Sequence, residues 1–127
     1  MKKEIKFRVW DRDLRKMAYD NFTISPKGEL SFYWQNAGFH SANSFLMQYT
    51  GLKDKNGKEI YEGDWCRAEY RTREGIITVQ GNIVFDEFMW CVDCKNDIFR
   101  INRLHNFEVI GNIYENPELL GKEVTKW

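Results

Sequence analysis

Proline occurs twice and glycine nine times in the 127 residues, so the chain holds no material for a long linker or a low-complexity segment. Histidine is also present only twice, too few for most acid–base schemes built on imidazole. The three cysteines are an odd count, which argues against a disulfide framework and for a reducing compartment. An excess of charge of either sign is missing as well. Lys plus Arg and Asp plus Glu are both 19, so no global field draws the chain toward a phosphate polymer. No apolar run approaches the ~20 residues that cross a bilayer. The opening MKKEIKFRVW carries charges with no apolar stretch behind them, unlike a signal peptide. These absences lead to the expectation of a cytoplasmic protein without a membrane segment.

What is present is apolar and aromatic. Hydrophobic residues make up 43% and aromatic residues 16%, which favours a packed globule over disorder. The dominant pattern is alternation at period two, the signature of half-buried strands. Ile5, Phe7 and Val9 alternate with Lys6, Arg8 and Trp10, and Leu30, Phe32 and Trp34 alternate with Ser31, Tyr33 and Gln35. Met17 to Ile24 is expected to be one strand between them. Ser25-Pro26-Lys27-Gly28 reads as a turn, with proline setting φ and glycine allowing positive φ. The first thirty-five residues are thus predicted to form an antiparallel meander. Residues 36 to 47, of weak period and mixed polarity, are predicted to be loop with one helical turn.

Beyond them Asp54-Lys55-Asn56-Gly57 marks a chain reversal, and Glu62-Gly63-Asp64 marks a second. Residues 65 to 70 then read as a strand. In the next one Ile77, Val79, Gly81, Ile83 and Phe85 share a face. A run of that length must curl, and Gly81 is the predicted bend or bulge. Asp86-Glu87 is the expected turn into a partner strand from Phe88 to Val92, followed by strands around 98–101 and 107–113. Ile77, Val79, Ile83, Phe85, Val109 and Ile113 are predicted to point inward together. Asn116-Pro117 with Gly121 predicts a short helical turn that pins Leu119 or Leu120 on the core. Five short curved strands suggest a small closed barrel, which removes exposed edges.

Four segments carry a family resemblance: IKFRVWD (5 to 11) with Met17, QYTGLKDKNGKEIYEGD (48 to 64), GNIVFD (81 to 86) and EVIGNIYENPELL (108 to 120). Over essentially its full length the chain resembles the YopX family of phage and prophage proteins from Gram-positive bacteria. The resemblance implies a mainly β protein with an SH3-like barrel in its C-terminal half, acting in the bacterial host cytoplasm. It supplies no catalytic residues. Trp65 and Cys66 stand where relatives usually show small aliphatics, which implies a somewhat different core packing.

Candidate chemistry is sparse. Cys91-Val92-Asp93-Cys94 is a Cys-x-x-Cys, but its flanks read as strand, whereas a redox thiolate sits at a helix N-terminus. A zinc site needs two further ligands, and only Cys66, His40 and His105 are left to supply them. Two thiols that simply pack are the simpler expectation. His40 and His105 are expected to be ordinary surface or half-buried residues. Asp54 with Glu59, and Glu62 with Asp64, could bind Ca²⁺ or act as acid and base. The simpler reading gives Asp54 and Asp64 backbone amides to accept at their turns. No nucleophile elbow and no phosphate loop is visible.

The expected fold is therefore mainly β, an N-terminal antiparallel meander (1–47, with its irregular loop) packed on a C-terminal SH3-like barrel (48–127) that ends in a short helical turn. The expected function is that of a non-enzymatic protein-interaction or self-assembly module, with no cofactor, no metal and no membrane partner. Trp10, Tyr33, Trp65 and Trp90, on or near faces opposite the presumed core, would offer aromatic contact area. The competing account packs several of these rings inside. An alternative function is a nucleic-acid-binding small barrel, with Arg67, Arg71 and Arg73 beside Trp65 or Tyr70 as a stacking platform.

Overall fold

The structure, a computed structural model, describes residues 4–20, 22–34, 38–40 and 44–121; side chains are described for all of these except 32–34, 38–40, 120 and 121. The protein is mainly β, with antiparallel sheets and short 3-10 turns. Two compact units divide between Gln48 and Tyr49, with Glu4 assigned to the second.

In the first unit, β1 (Phe7–Asp11) pairs antiparallel with β2 (Lys16–Ala18) and with the start of β6 (Ser44–Lys53). The β1–β2 turn is tight. Arg15 lies at positive φ, and the buried Asp11 carboxylate accepts the Asp13 and Leu14 N–H groups at 2.9 and 3.1 Å. The strands β3 (Phe22–Ile24), β4 (Leu30–Trp34) and β5 (Gly38–His40) make a separate three-stranded sheet. Ser25 anchors the β3–β4 turn: its hydroxyl oxygen accepts from Lys27 N and Glu29 N.

Two expectations need correcting here. Met17 to Ile24 is not one strand, because Met17 pairs with Trp10 while Phe22 pairs with Phe32 in another sheet. Residues 44–47 are not loop but the beginning of β6, paired in register with β1 from Asp11↔Ser44 to Phe7↔Gln48. That partner lies more than thirty positions away, so local periodicity carries little trace of it. Residues 38–40 are strand as well. The remaining part of the predicted loop, 36–37 and 41–43, lies outside the described residues.

The second unit continues β6 into β7 (Glu59–Tyr61) across the predicted Asn-Gly reversal, with Tyr49 opposite Tyr61. Then come β8 (Asp64–Thr72), β9 (Gly75–Asp86), β10 (Met89–Cys94) and β11 (Asp97–Arg100). A 3-10 turn at Ile101–Arg103 leads to β12 (Leu104–Asn112), and a second at Pro117–Gly121 ends the described chain. The five-stranded sheet runs in the order β11-β10-β9-β8-β12, so β12 returns beside the first strand of the set.

The sheet curls over one apolar cluster. Ile60, Trp65, Cys66, Ala68, Val79, Ile83, Val92, Cys94, Leu104 and Leu119 are buried together. Burying each large aliphatic among them contributes about 1.5–3 kcal/mol. Five of the six predicted inward residues join it: Val79 and Ile83 are fully buried, and Ile77, Val109 and Ile113 pack against it half-buried. Phe85 does not; it is 55% exposed. The alternation continues past the end of the core, so the inward face of β9 runs out of neighbours before the strand does.

Gly81 also departs from expectation. The β8–β9 register is unbroken there, with Cys66↔Gly81 between Trp65↔Asn82 and Arg67↔Gln80. The glycine serves close approach instead. A Cβ at this position would meet the Asp93 carbonyl oxygen and lie 2.8 Å from its carbon. In this sheet the register shifts lie where β12 meets β8, between His105 and Glu108 and between Val109 and Gly111.

Candidate interaction surface

The residues that make the sequence distinctive are consumed by the architecture. Asp54 is buried, and its carboxylate accepts the N–H groups of Asn56 at 2.8 Å, Lys58 at 2.9 Å and Val109 at 2.9 Å. One carboxylate therefore closes a turn and ties it to β12. Burial alone would raise its pKa, but these three N–H donors and the Lys58 charge hold it below the ordinary carboxylate value. Asp64, also buried, accepts the Tyr61 N–H at 2.7 Å. Gly63 N donates to Ile83 O, and Gly63 O accepts from Ile113 N. The other end of the chain is knotted in the same manner. Asn112 Oδ1 accepts from Tyr114 N and Glu115 N, and Asn116 Oδ1 accepts from Asn112 N. A Cβ at Gly111 would sit 2.7 Å from Asn116 Oδ1 and 3.1 Å from Leu119 Cδ1. Glycine there makes room for the plug that buries Leu119.

The predicted site residues do not assemble into one surface. Trp65 and Trp10 are buried, at 4% and 8% exposure, because each strand carrying them is covered on both faces at that point. Neither offers its ring to a partner in this structure. The Trp65 Nε1–H and the amide oxygen of Asn82, its cross-strand partner, are buried with no hydrogen-bond partner among the described residues. The side chain of Tyr33 lies outside the described residues. Arg67 and Arg71 are exposed on one face of β8, yet each meets a carboxylate: Arg67 to Glu108 at 3.2 Å and Arg71 to Glu69 at 3.9 Å. Arg67 also donates to Gln80 Oε1, and Lys55 reaches Glu108 at 3.7 Å. Arg73 is exposed in the β8–β9 turn. His105 is exposed on β12, and the side chain of His40 lies outside the described residues.

The three cysteines are buried and none is in a disulfide. Cys91 and Cys94 are three apart on β10, so they leave the strand on opposite faces. Desolvation pushes the Cys94 thiol up to about 11. Desolvation and then the Asp86 charge raise Cys91. Both effects disfavour the thiolate that redox exchange or metal ligation requires. Among the described residues no group of three or more His, Cys, Asp or Glu side chains is placed to hold a metal ion. No helix among them is long and apolar enough to cross a membrane.

Of the predicted site residues, Trp90 leads to an exposed apolar feature. It is half-buried against the core cluster, and the Phe85 ring stands against it edge-on at 5.0 Å between centroids and 72° between planes. Phe85 and Trp90 are cross-strand partners next to the two-residue turn of the β9–β10 hairpin. In that turn Glu87 has φ 46 and Phe88 has φ 68. Both central residues at positive φ is the type I′ pattern, which glycine and asparagine adopt with least strain and bulky side chains seldom do. Phe88 is nonetheless 93% exposed. The exposed Asp86 and Glu87 immediately precede it. Sequence reasoning missed Phe85 and Phe88 as surface residues. A readable signal was present: a hairpin turn spelled Glu-Phe where Asn-Gly fits best.

The arrangement as a whole defines a mainly β protein whose signature residues are backbone acceptors and tight-packing glycines. The YopX protein family matches residues 6–121, and the chain belongs to that family. It is similar in structure to protein EF1440 from Enterococcus faecalis, with a TM-score of 0.62 and 28% identity over 94% of this chain and 99% of that one. It is also similar to protein yopX from Bacillus subtilis, with a TM-score of 0.58 and 25% identity over 90% of this chain and 96% of that one. No curated protein matches it.

Proposed function

We propose that this protein is a non-catalytic protein-interaction module of phage or prophage origin, working in the host cytoplasm, and that its contact surface is the tip of the β9–β10 hairpin. The module carrying that tip is read as an SH3-like small barrel: four strands meander, a 3-10 turn follows, and the fifth strand returns beside the first. The observation that carries the reading is Phe88, a bulky aromatic at positive φ and almost fully exposed. Strained backbone of this kind clusters at functional sites. Aromatic rings are also the side chains that contribute most to protein contacts. The carboxylates of the motifs support the same reading, because Asp54 and Asp64 accept backbone amides at their turns. A nucleic-acid surface finds less support, since Glu108 and Glu69 face Arg67 and Arg71.

A photo-crosslinking amino acid at position 88, in host cells producing the protein, tests this. The expected result is a discrete protein adduct that survives nuclease and is absent when the probe is placed at Lys95. Free protein alone at position 88, or an adduct that nuclease removes, would overturn the reading.

A further inference from the structure

The flanks of the aromatic tip say what kind of surface it fits. Asp86 and Glu87 place two carboxylates beside Phe88, with Phe85 exposed behind them. A phosphate backbone would be repelled there. A second tip docked face to face would bring four carboxylates together, so a symmetric tip-to-tip contact is disfavoured too. The fitting surface is apolar and rimmed by positive charge.

The chain itself carries such a surface. The β1–β2 turn exposes Arg12, Leu14, Arg15 and Lys16 against the single exposed carboxylate of Asp13, while the Asp11 carboxylate is buried in closing the turn. Leu14 is 50% exposed, and the Arg12 guanidinium lies over the partly exposed Phe45 ring at 5.7 Å. Leucine and phenylalanine between two arginines can receive an aromatic side chain with acidic neighbours, the arginines stacking on the ring and pairing the carboxylates. The backbone of Arg15 is itself at positive φ, so both halves of the contact sit on sharply turned hairpins.

Resting on the interaction reading above, we infer that the occupant of this turn is the hairpin tip of a second copy of the chain. Phe88 enters beside Leu14 and Phe45, and Asp86 and Glu87 meet Arg12 and Arg15. The contact is heterologous, each copy offering a tip and a receiving turn, and it builds a ring or a filament according to whether the rotation closes.

The test uses sedimentation velocity on the purified wild-type chain and on two variants, E87N/F88G and R12E/R15E. Wild type is expected to associate with rising concentration. E87N/F88G installs the residues that a type I′ turn prefers, so it should melt at a higher temperature while its dissociation constant rises about 30-fold or more, the usual loss for a truncated hot-spot aromatic. R12E/R15E should stay monomeric with a folded circular-dichroism spectrum. Each variant keeps one half of the contact intact, so an equimolar mixture of the two should form a dimer and nothing larger. A wild type that stays monomeric at every concentration overturns the inference. So does E87N/F88G associating as wild type does, or a mixture that forms no dimer. A monomeric protein that still yields a protein adduct at position 88 overturns the self-recognition alone and leaves the interaction module standing.

Discussion

At the scale of single residues, the chemistry that looks functional in the sequence is spent on the backbone. Asp54 is the clearest case: a turn carboxylate with a partner fifty-five residues away. Its pKa is held below 3.8, the ordinary value. A carboxylate depressed on folding stabilises the native state above the unfolded pKa, and that contribution is lost as pH falls through the folded value. Stability should therefore decline below about pH 4. Asp54→Asn should cost about 1–3 kcal/mol at neutral pH, because an amide nitrogen cannot accept one of the N–H groups it faces. It should also flatten the acid limb. Urea denaturation at pH 7 and pH 3 reads both, and a variant as stable as wild type at pH 7 refutes the staple. The cysteines lead to a second expectation. With all three thiols buried and Cys94 pushed up to about 11, a thiol reagent at pH 8 should react slowly with the native protein and stoichiometrically once it unfolds. A fast native reaction at Cys91 or Cys94 would restore a redox role to the Cys-x-x-Cys.

Among the elements, legibility depended on how local the determinants were. The β8–β9 and β9–β10 hairpins have their partners next door, and alternation was enough to find both, although the second turns at Glu87–Phe88 and not at the expected Asp86–Glu87. The 3-10 turn at Pro117 was readable from Asn116, Pro117 and Gly121 for the same reason. β6 was not readable at its start, because Ser44 to Met47 become strand through pairing with β1. Gly81 illustrates a subtler failure. The residue was singled out correctly, but its role is to admit the backbone of β10, not to bend β9. Gly81→Ala should accordingly cost roughly 1–3 kcal/mol, the scale of overpacking, since the obstructing atoms are backbone and cannot rotate away. Gly28→Ala offers a control: nothing lies within 4 Å of its added Cβ, and its cost is only the backbone strain of φ +88. Thermal melts of the two variants compare steric and conformational penalties, and an equal loss would remove the close-packing account of Gly81.

For the whole molecule, balance of charge matters more than its amount. With 19 cations and 19 anions, no net repulsion keeps copies apart near neutral pH, and charge-guided recognition would have to come from local patches. The acidic aromatic tip and the basic turn proposed as its partner would be such patches. Association between them should weaken as salt rises from about 0.05 to 0.5 M, because screening reaches within a few ångströms at the higher value. Purely apolar aggregation would strengthen instead. Sedimentation velocity across that range distinguishes the two, and an association constant that climbs with salt would exclude charge complementarity.

Alternation, turn residues and the long central motif were enough to establish a mainly β chain and its family, because strand formation and tight turns are governed by neighbours within a few residues. Burial is a different kind of property. Whether Trp65 is covered and Phe85 bare depends on which strands arrive above them and where the core ends, and both rings sit in equally regular alternation. The tertiary structure alone decided which aromatic rings became core and which were left at the tip, since exposure is set by chain segments distant in sequence.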